Sequence, residues 1–106
     1  MTAWLYLAGA IAFEVAGTTA LKLSDGMSRP GPTLVMAACY AVSFLALSRA
    51  VRGVEVGVAY AVWAGAGTAL VAAVGILYFR EALTLIKVVS LGLIIGGVVG
   101  LKLSPS

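Results

Sequence analysis

Ala3-Trp-Leu-Tyr-Leu-Ala-Gly-Ala-Ile-Ala-Phe-Glu14-Val-Ala-Gly-Thr-Thr-Ala-Leu21 is an apolar run broken by a single carboxylate, and its reading decides the fold. A helix that crosses a bilayer needs about 20 mostly apolar residues. This run has that length and composition, and three more follow at 33–48, 54–79 and 85–103. The chain therefore reads as an all-α membrane protein of four transmembrane helices, forming a single domain over 1–106. Its 106 residues are 62% hydrophobic and 10% charged, against roughly 25% charged in a soluble domain. No room remains for a separate soluble domain.

The charges gather between the runs. Lys22 to Pro32 carries the Gly, Pro and Ser punctuation of a turn, Arg49 to Glu55 is a short charged link, and Arg80-Glu81 marks the third connection. The net charge of +3 is spread over these links and forms no basic patch, so nucleic acid is not an expected partner. Met1 to Ala3 carry no basic side chain, so the first run is expected to stay in the mature protein as a helix, not to be removed as a signal. Four spans put both ends on one side. Lys22, Arg29, Arg80 and Lys87 then face Arg49, Arg52 and Lys102, a near balance that permits insertion both ways up, because a Lys and Arg excess normally sets orientation. The expected location is the inner, or cell, membrane as a multi-pass protein. The third run is longer than a bilayer requires. Tilt, an early helix start or a kink near Gly65-Ala66-Gly67 would absorb the excess, which makes Gly65 and Gly67 a candidate conformational hinge.

Glu14 lies near the middle of the first span, where a carboxylate costs about 2.5–3.5 kcal/mol on insertion scales. No Lys or Arg lies within the apolar part of any span, so the chain offers it no intramembrane partner. Two routes remain: protonation, which desolvation favours, or pairing with a cation that comes and goes. Both make it a proton and substrate site; the alternative is a protonated carboxyl acting as interhelical glue. Leu7, Ala10, Glu14, Gly17, Thr18 and Leu21 share one helix face, mostly of small residues, that leaves space around the carboxylate. Thr18, one turn on, is placed to hydrogen-bond it, although Thr in membrane helices commonly bonds its own i−4 carbonyl.

Two aromatic pairs stand at helical spacing inside the second and third runs: Tyr40 with Phe44, and Tyr60 with Trp63. Ring faces attract cations by about 0.5–2 kcal/mol and tolerate varied shapes, which suits a lipophilic cation near a carboxylate. Trp4, Tyr6, Tyr78 and Phe79 fall near span ends and read as interfacial anchors. In the last run Gly92, Gly96 and Gly100 recur every four residues, and Ser90 with Gly97 makes a second small track, a surface suited to dimer contact. His is absent and Cys39 is alone. Without a second intramembrane carboxylate or a His or reactive Cys beside Glu14, no enzyme, metal or cofactor is expected.

Taken together, Glu14-Val-Ala-Gly17-Thr18 with Lys22, Tyr40 with Ser43-Phe44, Ala59-Tyr60-Ala61-Val62-Trp63-Ala64-Gly65-Ala66-Gly67 and the glycine-rich last run resemble the small multidrug resistance family of proton-coupled exporters over the whole chain. The resemblance implies an antiparallel homodimer in which two copies of Glu14 bind either protons or a cationic substrate. It also implies substrate contact by Tyr40, Tyr60 and Trp63, and a dimerisation arm in the last helix. Gly17-Thr18 and Tyr40 look like the branch that exports quaternary ammonium cations. Phe79-Arg80-Glu81 and Gly100-Leu101-Lys102 look closer to the guanidinium branch, and some members pair as heterodimers. The expected function is proton-coupled export of lipophilic or quaternary ammonium cations by alternating access, with guanidinium export and a non-transporting membrane assembly subunit as alternatives.

Overall fold

A computed structural model describes residues 2–104 as four helices joined by short turns: α1 (Thr2–Leu23), α2 (Pro30–Ala50), α3 (Val56–Leu77) and α4 (Leu85–Leu103). They contain 22, 21, 22 and 19 residues. At about 1.5 Å per residue each is about 28–33 Å long, close to the roughly 30 Å hydrocarbon core of a bilayer. All four are long and apolar enough to cross a membrane.

The helix ends differ from the apolar runs for local reasons that hydropathy does not register. Helix α2 starts at Pro30, where proline has no N–H to leave unpaired, and the preceding Arg29 is extended (φ −101°, ψ 114°) as a residue before proline prefers. Val54 stays in the turn before α3, its N–H donating to Ala50 O at 3.2 Å. Helix α3 stops at Leu77, so the long third run becomes an ordinary span in which Gly65 and Gly67 lie within continuous helix. Thr84 caps α4 by accepting from the Lys87 N–H at 3.2 Å.

The turn between α1 and α2 is built on Ser24, which is fully buried. Its hydroxyl donates to Leu21 O (2.6 Å) and accepts from the Met27 N–H (3.0 Å). Gly26 reverses the chain there at φ 71°, a conformation that costs glycine little. So short a connection makes α1 and α2 antiparallel neighbours.

Helix α1 packs against α2 and α3, and α4 against α3. In a membrane this association depends on close packing, because lipid is as apolar as the helices themselves. Gly17 lets the Tyr40 ring lie on the α1 backbone; a Cβ there would stand 2.7 Å from ring carbons. The buried Ser43 hydroxyl of α2 donates to Ala10 O of α1 at 2.6 Å. Leu7, Ile11, Ala50 and Val62 form the core where the first three helices meet. Gly65 admits Val98 of α4, whose methyl would lie 2.8 Å from an added Cβ. Helix α4 has no buried residue. The Cα extents are 44 × 35 × 16 Å. With helices about 10 Å across, the chain is a flat slab, not a closed bundle.

Candidate functional site

Glu14 leaves α1 where α2 and α3 both approach. Its Oε1 accepts a hydrogen bond from the Thr18 hydroxyl at 3.1 Å, and the same hydroxyl lies 2.7 Å from the Tyr40 hydroxyl of α2. Thr18 has one proton to give. With that proton on Glu14, Tyr40 must donate to Thr18, so the three groups form a directed chain from α2 to the carboxylate. The neighbouring Thr19 and Thr68 make the ordinary i−4 bond to their own helices, to Val15 O (2.9 Å) and Ala64 O (2.7 Å). Thr18 departs from that habit because Tyr40 and Glu14 are both within its reach.

The second carboxylate oxygen, Oε2, is buried and has no hydrogen-bond partner among the described residues. It rests against Gly67 of α3, where an added Cβ would be 2.9 Å away. Trp63 Nε1 is likewise buried and unpaired among the described residues. Buried polar atoms are overwhelmingly hydrogen-bonded, so these two orphans, on residues that line one cavity, make the region a candidate site.

Trp63 is the centre of an aromatic trio. Its ring lies 5.7 Å from Phe44 at 62° and 5.5 Å from Tyr60 at 61°, both edge-on, in the range that favours such pairs. Glu14, Thr18, Tyr60 and Trp63 line a cavity of about 730 Å³ between α1 and α3 that runs to Phe79 and Glu81 beyond the end of α3. That volume lies within the roughly 300–1,000 Å³ of small-molecule sites.

The structure therefore brings Glu14, Thr18, Tyr60 and Trp63 onto one cavity. Tyr40 reaches it only through Thr18, and Phe44 sits behind Trp63 with its own ring largely exposed. Leu7, Ala10 and Gly17, expected on the substrate face, are in the helix contacts instead. Leu7 is in the core, Ala10 accepts from Ser43, and Gly17 is covered by Tyr40. The small residues on that face serve the close approach of α2 more than an open space. Gly67 touches the carboxylate, whereas Gly65 faces α4. Gly92, Gly96 and Gly97 have nothing within 4 Å of an added Cβ, and Ser90 lines a smaller cavity of about 230 Å³ beside α3.

Phe79 and Glu81 are among the cavity residues that sequence reasoning missed. By position alone Phe79 reads as an interfacial ring and Glu81 as a loop charge. The signal lay in the helix stop: a chain that leaves α3 at Leu77 and must re-enter the bilayer at Leu85 doubles back over the last turn of α3.

A family model described as Small Multidrug Resistance protein matches residues 2–94. Among curated proteins, the chain is 46% identical over 98 residues to the multidrug resistance protein EbrB of Bacillus licheniformis, covering 92% of this chain and 82% of that one. It is 43% identical over 103 residues to the quaternary ammonium compound-resistance protein QacF of Klebsiella aerogenes, covering 97% and 94%. It is also 46% identical over 104 residues to the nicotine metabolites export pump subunit NepB of Paenarthrobacter nicotinovorans, covering 98% and 63%.

Proposed function

The chain belongs to the small multidrug resistance family, and on that premise we propose that it exports lipophilic and quaternary ammonium cations in exchange for protons, with Glu14 as the shared binding group. The observation that carries this reading is the Glu14 carboxylate, one oxygen of it buried and without a hydrogen-bond partner among the described residues, on a cavity that Tyr60 and Trp63 also line. An ionised carboxylate in that setting attracts a cation, and a protonated one does not. Occupancy by proton or cargo is therefore exclusive, and this exclusion couples the two fluxes without any direct contact between them. The aromatic walls hold the apolar body of the cargo by ring contact and cation–π attraction of about 0.5–2 kcal/mol. The Tyr40–Thr18 chain orients Oε1 and so fixes the carboxylate on the cavity wall.

The working unit in this proposal is a dimer. A slab 16 Å thick does not surround Glu14, and α4 offers a glycine track with open space along it. A second copy in the opposite orientation is supported by the near balance of basic residues across the membrane and would bring a second Glu14 to the site. Pairing with a related but different chain is the alternative, because the name of NepB describes a pump subunit. Transport, not an enzymatic reaction, is the role that follows.

Proteoliposomes loaded at acid pH and diluted into a neutral medium test the reading, since protons leaving must bring tetraphenylphosphonium in. Wild-type protein is expected to accumulate the cation and Glu14→Gln to show none. Gradient-driven accumulation by Glu14→Gln would remove the carboxylate from the mechanism.

A further inference from the structure

We infer that Glu81 and Phe79 form an outer station for organic cations at the mouth of the cavity, which receives the cargo before it reaches Glu14. The inference rests on the exporter reading above and adds a second site to it. Beyond Leu77 the chain turns back at Arg80, whose φ of 57° is unusual for a residue with a side chain. The Glu81 N–H then donates to Gly75 O at 2.9 Å, which fastens residue 81 to the last turn of α3. The carboxylate lies over Gly75, and a Cβ at that position would collide with it. The acidic group is therefore held at the cavity mouth, although its residue is exposed to solvent.

A second observation identifies the charge that this mouth accepts. The ammonium of Lys22, an exposed residue at the end of α1, lies 5.9 Å from the centroid of the Phe79 ring. That distance is within the range of a cation–π contact. The mouth already draws a cation of this chain onto its aromatic face, beside a carboxylate lining the same cavity. A quaternary ammonium or phosphonium group has the same charge and a larger apolar body. It can take the face of Phe79 with Glu81 as its counter-ion, while Lys22 competes for that place. Deeper in, Tyr60, Trp63 and Glu14 offer the same pairing of ring and carboxylate, so the cavity presents one kind of recognition at both of its ends.

Glu81 and Lys22 should therefore have opposite effects. In acid-loaded proteoliposomes at low salt, Glu81→Gln is expected to raise the half-saturating concentration of tetraphenylphosphonium about threefold to tenfold, with a smaller change in maximal rate. High salt should shrink the difference, because the lost interaction is between solvent-exposed charges. Lys22→Gln should lower the half-saturating concentration. Equal half-saturation of Glu81→Gln and wild type at low salt overturns the inference. If Glu81→Gln does not reconstitute, Lys22→Gln decides: a lower value supports the station, and an unchanged or higher one overturns it. Wild-type transport that Glu14→Gln abolishes identifies the exporter in the same preparation, so a null result at Glu81 removes the outer station alone.

Discussion

At the scale of single residues, the site depends on which oxygen of Glu14 is already engaged. Oε1 is held by Thr18 and, through it, by Tyr40, while Oε2 is buried against Gly67. Tyr40→Phe removes the donor at the far end of the chain, loosens the hold on Oε1 and weakens cation binding. With a net hydrogen bond at about 1 kcal/mol, the tetraphenylphosphonium Kd at fixed pH should rise about fivefold by calorimetry. Gly67→Ala acts on the other oxygen: its methyl group would stand 2.9 Å from Oε2, so carboxylate or helix must shift. A larger loss, about tenfold or more, is expected in the same titration. Glu14, Tyr60 and Trp63 are legible from sequence because a mid-span charge and a helical aromatic pair stand out in an apolar run. The Thr18 bond to Glu14 is legible too, as an i, i+4 pair along α1. Its link to Tyr40 is not, because Tyr40 arrives from another helix and spacing along α1 carries no record of that.

Among the elements, the four spans are visible as apolar runs, and their ends are set by chemistry that hydropathy averages away: proline at the start of α2, the Ala50–Val54 turn before α3, and the stop at Leu77. Small residues give a clear sign of close helix contact and an ambiguous one of where. Gly17 and Gly65 are used within the chain, against Tyr40 and Val98, whereas Gly92, Gly96 and Gly97 meet nothing among the described residues. This difference permits a clean test of the arm. Gly96→Ile adds bulk where the chain itself has open space, so helicity by circular dichroism should be retained. If the track is the dimer contact, the same substitution should reduce cross-linked dimer in membranes several-fold, since close approach is what small residues contribute to such interfaces.

For the whole molecule, the flatness of the slab and the loose seat of α4 have a consequence for how such proteins diversify. The large cavity is lined by α1, by α3 and by the segment between α3 and α4, and no α4 residue contributes to its wall. Helix α4, in turn, buries none of its residues within the chain. If the cavity sets what is carried and α4 sets who is joined, as proposed, these determinants lie in separate stretches, and each can drift with little penalty on the other. A chimera tests this modularity. Replacing 85–103 with the corresponding helix of a relative that pairs differently should redirect co-purification toward that relative's partner and leave the order of preference among cations unchanged. A gene duplicate of such a chain could acquire a new mate by altering its final helix alone and inherit its cargo intact.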